Sequence, residues 1–234
     1  MSEVRIPIAA ATVPGYLAVP SGEGPWPGVV VVHDVFGMTD DLRRQTEWLA
    51  SEGFIALAPD LYHWSSKVVC IRAIFKDLRA RTGRTFDDIE GVRGWLASDR
   101  RCTGRVGVIG FCLGGGFSLL LAAGHGFAVS SVNYGQVPDD IDRAIEGACP
   151  VVASYGARDR TLRGAAGRLE AALERAGVAH DVKEYEDAGH SFLNDHRSIL
   201  FNVLVKPMGG GYEPEAAADA RRRIVSFFDA HLRS

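Results

Sequence analysis

Cys112 lies in the run Gly110-Phe111-Cys112-Leu113-Gly114-Gly115-Gly116, just after the apolar segment Val106-Gly107-Val108-Ile109. Gly-x-Cys-x-Gly between a buried strand and a helix is the pattern of a nucleophile elbow, with a thiol where a hydroxyl is more familiar. The glycines have a steric reason. The turn forces unusual backbone angles on the nucleophile, and side chains at 110 and 114 would collide with neighbouring elements. The turn also sets the sulfur at a helix N-terminus, where unpaired amides and the helix dipole favour negative charge. The Leu113 N–H then faces the oxygen that gains charge during acyl transfer. The competing reading, a small buried core cysteine, is the common fate of a free thiol. It fits Cys70, Cys102 and Cys149, which have no such flanks, better than Cys112.

A cysteine nucleophile needs a base and a group to orient the base. In triads built on such elbows the chain order is nucleophile, acid, histidine. Asp159 follows the strand Val151–Tyr155 in the loop Gly156-Ala157-Arg158-Asp159. His190 follows the last strand, in Asp187-Ala188-Gly189-His190-Ser191-Phe192. His190 would take the thiol proton and return one to the leaving alcohol, while Asp159 would fix the imidazole tautomer. The rivals are placed less well. His125, His180, His196 and His231 lie at helix ends or in inserts, where exposure is expected. Asp187 would have to turn back on His190, and Asp181 opens a strand.

The surrounding pattern alternates strands and helices. Val4–Ile8 and Tyr16–Val19 read as an opening antiparallel pair about a turn at Pro14-Gly15. Ser21–Pro27 reads as a loop, and strands follow at Val29–Val32, Phe54–Ala58, Val106–Ile109, Val129–Tyr134, Val151–Tyr155 and Asp181–Tyr185. Helical spacing marks 41–51, the stretch from Thr85 through Leu96, 114–123, 163–176 and 215–232. Such alternation predicts a mostly parallel sheet covered by helices on both faces, in a single domain over 1–234. Two inserts break the rhythm, at 62–81 and 194–213, where a lid or substrate wall is expected. The first carries helical periodicity over Cys70–Leu78, and the second contains Phe201–Val205.

With 234 residues, 47% hydrophobic and 24% charged, the chain can bury a substantial core. A net charge of -3 offers no basic footprint for nucleic acid. The N-terminus has no signal-peptide pattern and no apolar run spans a bilayer, so a cytoplasmic protein is expected, with no membrane partner and four free thiols. No HExxH or CxxC spacing appears, and neither a metal nor any other cofactor is expected.

These residues resemble the dienelactone hydrolase family (carboxymethylenebutenolidase-like proteins) across essentially the whole chain. The resemblance rests on His33-Asp34-Val35-Phe36-Gly37, Ala58-Pro59-Asp60-Leu61-Tyr62, the cysteine elbow, Gly156-Ala157-Arg158-Asp159 and Ala188-Gly189-His190-Ser191-Phe192. It implies an α/β-hydrolase fold and a Cys112–His190–Asp159 triad. It implies the Val35 N–H as the second oxyanion donor beside that of Leu113. It also implies an acidic residue that pairs with the resting cysteine; Asp34 stands there, one methylene shorter than the usual glutamate. Read from the residues alone, Asp34 is equally a turn or cap residue. Family members that act on dienelactone grip its carboxylate with arginines, one of them four residues after the histidine. Here that position is Asn194, which loses the bidentate clamp. Arg72, Arg79 or Arg81 are candidate replacements, and Phe36 is a further candidate substrate contact. A substrate other than dienelactone is therefore expected, and Asn194→Arg is expected to improve binding of carboxylate-bearing lactones.

The sequence thus points to a cysteine hydrolase of a small-molecule ester or lactone, acting through an acyl-enzyme as a monomer or homodimer. The alternative is a non-catalytic binding module for a small molecule or protein on the same fold.

Overall fold

The structure, a computed structural model, describes residues 1–197 and 210–233. Its strands are β1 (Ser2–Pro7), β2 (Thr12–Ala18), β3 (Trp26–Val32), β4 (Ile55–Pro59), β5 (Cys102–Phe111), β6 (Ser130–Asn133), β7 (Val151–Gly156) and β8 (His180–Tyr185). They form one sheet in the order β1-β2-β4-β3-β5-β6-β7-β8. The pairs β1–β2 and β2–β4 are antiparallel and the rest parallel. The described helices are α1 (Asp40–Ser51), α2 (Lys67–Ala80), α3 (Arg84–Ala97), α4 (Leu113–Leu121), the short α5 (Ile141–Ala144), α6 (Ala165–Ala176) and α7 (Pro214–Leu232).

The unbroken valine run of β3 is explained by burial on both faces. Val29 and Val31 point to one side, into a core with Leu49 and Phe54 and with Ile224 and Phe228 of α7. Val30 and Val32 point to the other, against Phe86, Ile89 and Val92 of α3 and Phe117 of α4. Helices end where local chemistry ends them. Thr39 caps α1 by accepting from Leu42 N–H at 3.3 Å, and Gly177 closes α6 in the left-handed conformation at φ 65.

Two expectations need correction. Pro14-Gly15 is no turn. Both residues lie inside β2, paired with Arg5 and Val4, and the reversal is at Ile8–Ala11, whose backbones bond each other at 2.9 and 3.3 Å. Gly15 is there because a Cβ would meet Ala58 O at 2.8 Å, so the glycine serves strand contact. The loop read over 21–27 also ends early, because β3 begins at Trp26. The first insert is largely the helix α2, as its periodicity predicted. In the second, residues 198–209, with the Phe201–Val205 segment, lie outside the described residues.

The glycines after Cys112 let α4 dock onto the strand ends. A Cβ on Gly110 would run into Gly114 O; one on Gly114 would strike Val32 O and stand 2.7 Å from His33 O. Gly114→Ala should therefore destabilise the fold by roughly 3 kcal/mol or more, read as a lower urea midpoint at unchanged slope.

Candidate active site

β5 ends at Phe111, α4 begins at Leu113, and Cys112 between them has φ 54 and ψ −112. A non-glycine residue at such angles stores about 1–3 kcal/mol of strain and needs its surroundings to hold it. The Cys112 N–H donates to Asn133 O at 3.0 Å, and its carbonyl accepts from Gly116 N–H at 3.1 Å. The Asn133 amide in turn donates to Gly110 O at 3.1 Å, tying β6 to the elbow.

His190 Nε2 stands 3.1 Å from Cys112 Sγ, and His190 Nδ1 stands 2.6 Å from Asp159 Oδ2. Asp159 is fully enclosed. Its other oxygen accepts from the Thr161 N–H at 2.8 Å and hydroxyl at 2.6 Å. The structure thus brings together the three residues that chain order singled out, on the loops after β5, β7 and β8. Burial alone would lower the His190 pKa, but the hydrogen bonds to Asp159 and Cys112 outweigh it and raise the value to about 10. Burial works to raise the Asp159 pKa, yet its bonds to His190 and Thr161 hold it below the usual carboxylate value. Asp187 is elsewhere, exposed and paired with Arg158, and Asp181 pairs with Arg223 at 2.6 Å.

The turn after β3 faces the elbow. Gly37 N–H donates to Asp34 O at 3.2 Å and Phe36 N–H to Asp34 Oδ1 at 2.7 Å. The Val35 N–H, like that of Leu113, has no backbone acceptor among the described residues. Backbone donors without a backbone acceptor, in the elbow and in the turn that packs against it, are what an oxyanion hole requires.

Other expected residues stand differently. The second carboxylate oxygen of Asp34 pairs with His196 Nε2 at 3.1 Å, and Asp34 makes no hydrogen bond to Cys112 Sγ. The shorter side chain is spent on its own turn and on this pair. His196, expected to be exposed, has a side chain only 6% exposed, with its ring 5.6 Å from that of Phe36. Asn194 is only 3% exposed. Its Oδ1 accepts from the Tyr134 hydroxyl and its Nδ2 donates to Asp41 Oδ2 at 2.5 Å. Both ends are committed inside the protein, so an arginine there meets an occupied polar pocket rather than a substrate. The Tyr134 ring lies 5.3 Å from that of His190, which makes Asn194 part of the support of the histidine loop.

Arg72 is exposed on α2, and Arg81 is committed to Asp140. Arg79 lines a groove of about 350 Å³ with Phe75, Leu78, Leu120 and Val137. Sequence reasoning missed His33, Tyr62, Tyr134 and Thr161, all of which support the site. His33 and Tyr62 carried a signal, as parts of the His-Asp-Val-Phe-Gly and Pro-Asp-Leu-Tyr segments. Among the described residues, no cluster of three or more His, Cys, Asp or Glu side chains is placed to hold a metal ion. No described helix is long and apolar enough to cross a membrane.

A mostly parallel eight-stranded sheet with helices on both faces and an elbow after β5 defines an α/β-hydrolase-fold protein. The dienelactone hydrolase family model matches residues 13–232, and the chain belongs to that family. It is 30% identical to the carboxymethylenebutenolidase of Rhodococcus opacus over 232 residues, 93% of this chain and 86% of that one. It is 29% identical over 244 residues to a candidate carboxymethylenebutenolidase of Methylorubrum extorquens, covering 97% and 79%. The crystal structure of a candidate dienelactone hydrolase from Klebsiella pneumoniae superposes with a TM-score of 0.80 at 26% identity, covering 97% of each chain.

Two outcomes follow. Asn194→Ala should cost about 2–4 kcal/mol by stranding buried Asp41 and Tyr134 groups, and Asn194→Arg should destabilise rather than improve binding of carboxylate-bearing lactones; denaturant titration and KM measure these. The folded state holds the His190 proton more tightly than the unfolded chain does. That contribution is complete below the ordinary value of 6.5 and is lost as pH rises through about 10. The stability advantage of the wild type over His190→Gln should therefore shrink from pH 6.5 to 10, and a constant difference would mean a neutral ring throughout.

Proposed function

We propose that this protein hydrolyses an ester or lactone bond of a small molecule through a thioester on Cys112. The observation that carries the reading is the Cys112–His190–Asp159 line, at 3.1 and 2.6 Å, on a strained elbow, with the Leu113 and Val35 N–H groups lacking a backbone acceptor among the described residues. Cys112 sulfur attacks the acyl carbon as its proton resides on His190, and the carbonyl oxygen gains its charge facing the Leu113 and Val35 amides. As the acyl–oxygen bond breaks, His190 gives its proton to the departing alkoxide. Water then attacks the thioester, His190 takes a water proton, and the carboxylic acid leaves as the sulfur is freed. Asp159 stabilises the imidazolium throughout and holds its tautomer.

The substrate we infer is not dienelactone itself, because Asn194 replaces the arginine expected to grip its carboxylate and is used internally. Work in the cytoplasm is consistent with four free thiols.

Cys112→Ala should lower hydrolysis of p-nitrophenyl acetate by about 10³-fold or more. Iodoacetamide should label Cys112 selectively: Cys70 is buried, and burial raises the thiol pKa at Cys102 and, to about 12, at Cys149. No turnover across a broad ester and lactone panel, with no selective labelling, would favour a binding module instead.

A further inference from the structure

The Val35 N–H does not orient itself. A peptide unit is planar and trans, so its N–H points opposite to its own carbonyl. The carbonyl sharing a plane with the Val35 N–H is that of Asp34, and it is gripped by a side chain: His33 Nδ1 stands 2.6 Å from Asp34 O. On the other side of the ring, His33 Nε2 accepts from the Leu61 N–H at 3.2 Å. An imidazole that accepts at Nε2 carries its proton at Nδ1, so it donates to Asp34 O. The ring is buried, and burial lowers its pKa, which keeps it neutral in this tautomer.

The peptide on the far side of Val35 is held in the same manner. The Tyr62 hydroxyl donates to Val35 O at 2.8 Å. Burial, helped by Asp34 and Asp60, raises the Tyr62 pKa, so the phenol keeps the proton it donates. The two side chains brace each other, with ring centroids 4.7 Å apart, and the Tyr62 ring leaves no room for a Cβ on Gly37.

We propose that His33 and Tyr62 act as one positioning unit for the oxyanion hole, fixing the peptides before and after Val35 so that its N–H faces the charge developing on the substrate. The inference rests on the cysteine-hydrolase reading and deepens it. Among the described residues neither side chain makes a hydrogen bond to Cys112, His190 or Asp159, so their hydrogen-bonded link to the site runs through the backbone around Val35.

Two reactions at the same sulfur separate this role from general support. Ester hydrolysis builds an oxyanion, whereas alkylation of Cys112 by iodoacetamide displaces iodide at a saturated carbon and builds none. Tyr62→Phe and His33→Leu should each lower kcat for p-nitrophenyl acetate by about 10–100-fold, below or near the loss of a whole oxyanion donor. KM should stay within about twofold, and the alkylation rate of Cys112 should stay near that of the wild type. His33→Asn, whose amide can still donate to Asp34 O, should recover part of kcat. Tyr62→Phe keeps the ring and its packing, so it supports the test if His33→Leu does not fold. Unchanged kcat in both variants, with an active and Cys112-dependent wild type, would overturn this inference alone. Alkylation falling in step with hydrolysis would also overturn it, as damage to the whole site. A wild type without Cys112-dependent turnover would overturn the reading and this inference together.

Discussion

The site depends on the approach of one helix end to the ends of two strands. After Leu113 the first turn of α4 is glycine at 114, 115 and 116, and it lies where a Cβ at 114 or 115 would meet Val32, His33 or Asn133 carbonyls. That contact places the sulfur of Cys112 at the N-terminus of a helix. It also brings the Leu113 N–H beside the turn that carries Val35. The strain at φ 54 is the local cost, and the hydrogen bonds to Asn133 and Gly116 hold it in place.

Charge inside the site is balanced rather than diluted. His190 and Asp159 are both removed from water, a situation that disfavours either ion alone. Each is held in its charged direction by the other, by Thr161 and by the neighbouring sulfur. The Tyr134 ring meets the imidazole at a tilt while its hydroxyl reaches Asn194, which in turn reaches Asp41 at the start of α1. The histidine loop is thus anchored to a helix on the face of the sheet opposite α4.

Features governed by chain order and periodicity were legible in the sequence. The strand run Val29–Val32, the elbow glycines, and the loops after β7 and β8 each have local signatures, and they suffice to nominate Cys112, Asp159 and His190. Features governed by side-chain direction were not. Nothing local says that Asn194 turns inward to Tyr134, that Asp34 turns to His196 instead of the sulfur, or that His33 spends both nitrogens on backbone. Those outcomes come from elements that meet only in the folded sheet. Pro14-Gly15 misled for a related reason: composition suggested a turn, but the close pass of Ala58 O made glycine a strand residue.

The pairing of β3 with β5 has a consequence for how the protein is made. Val30 lies beside Val108 and Val32 beside Gly110, in parallel register, with α1, β4, α2 and α3 strung between them along the chain. The elbow can close only against the finished end of β3, since Val32 and His33 supply the surface that Gly114 meets. No short fragment around Cys112 contains that surface. Parallel pairings of this range form late and slowly, after loop closure has been overcome. On the ribosome Cys112 emerges with β3 already made but with Asp159 and His190 still to come, so the contacts that surround its sulfur in the fold are completed only after β7 and β8 have been added.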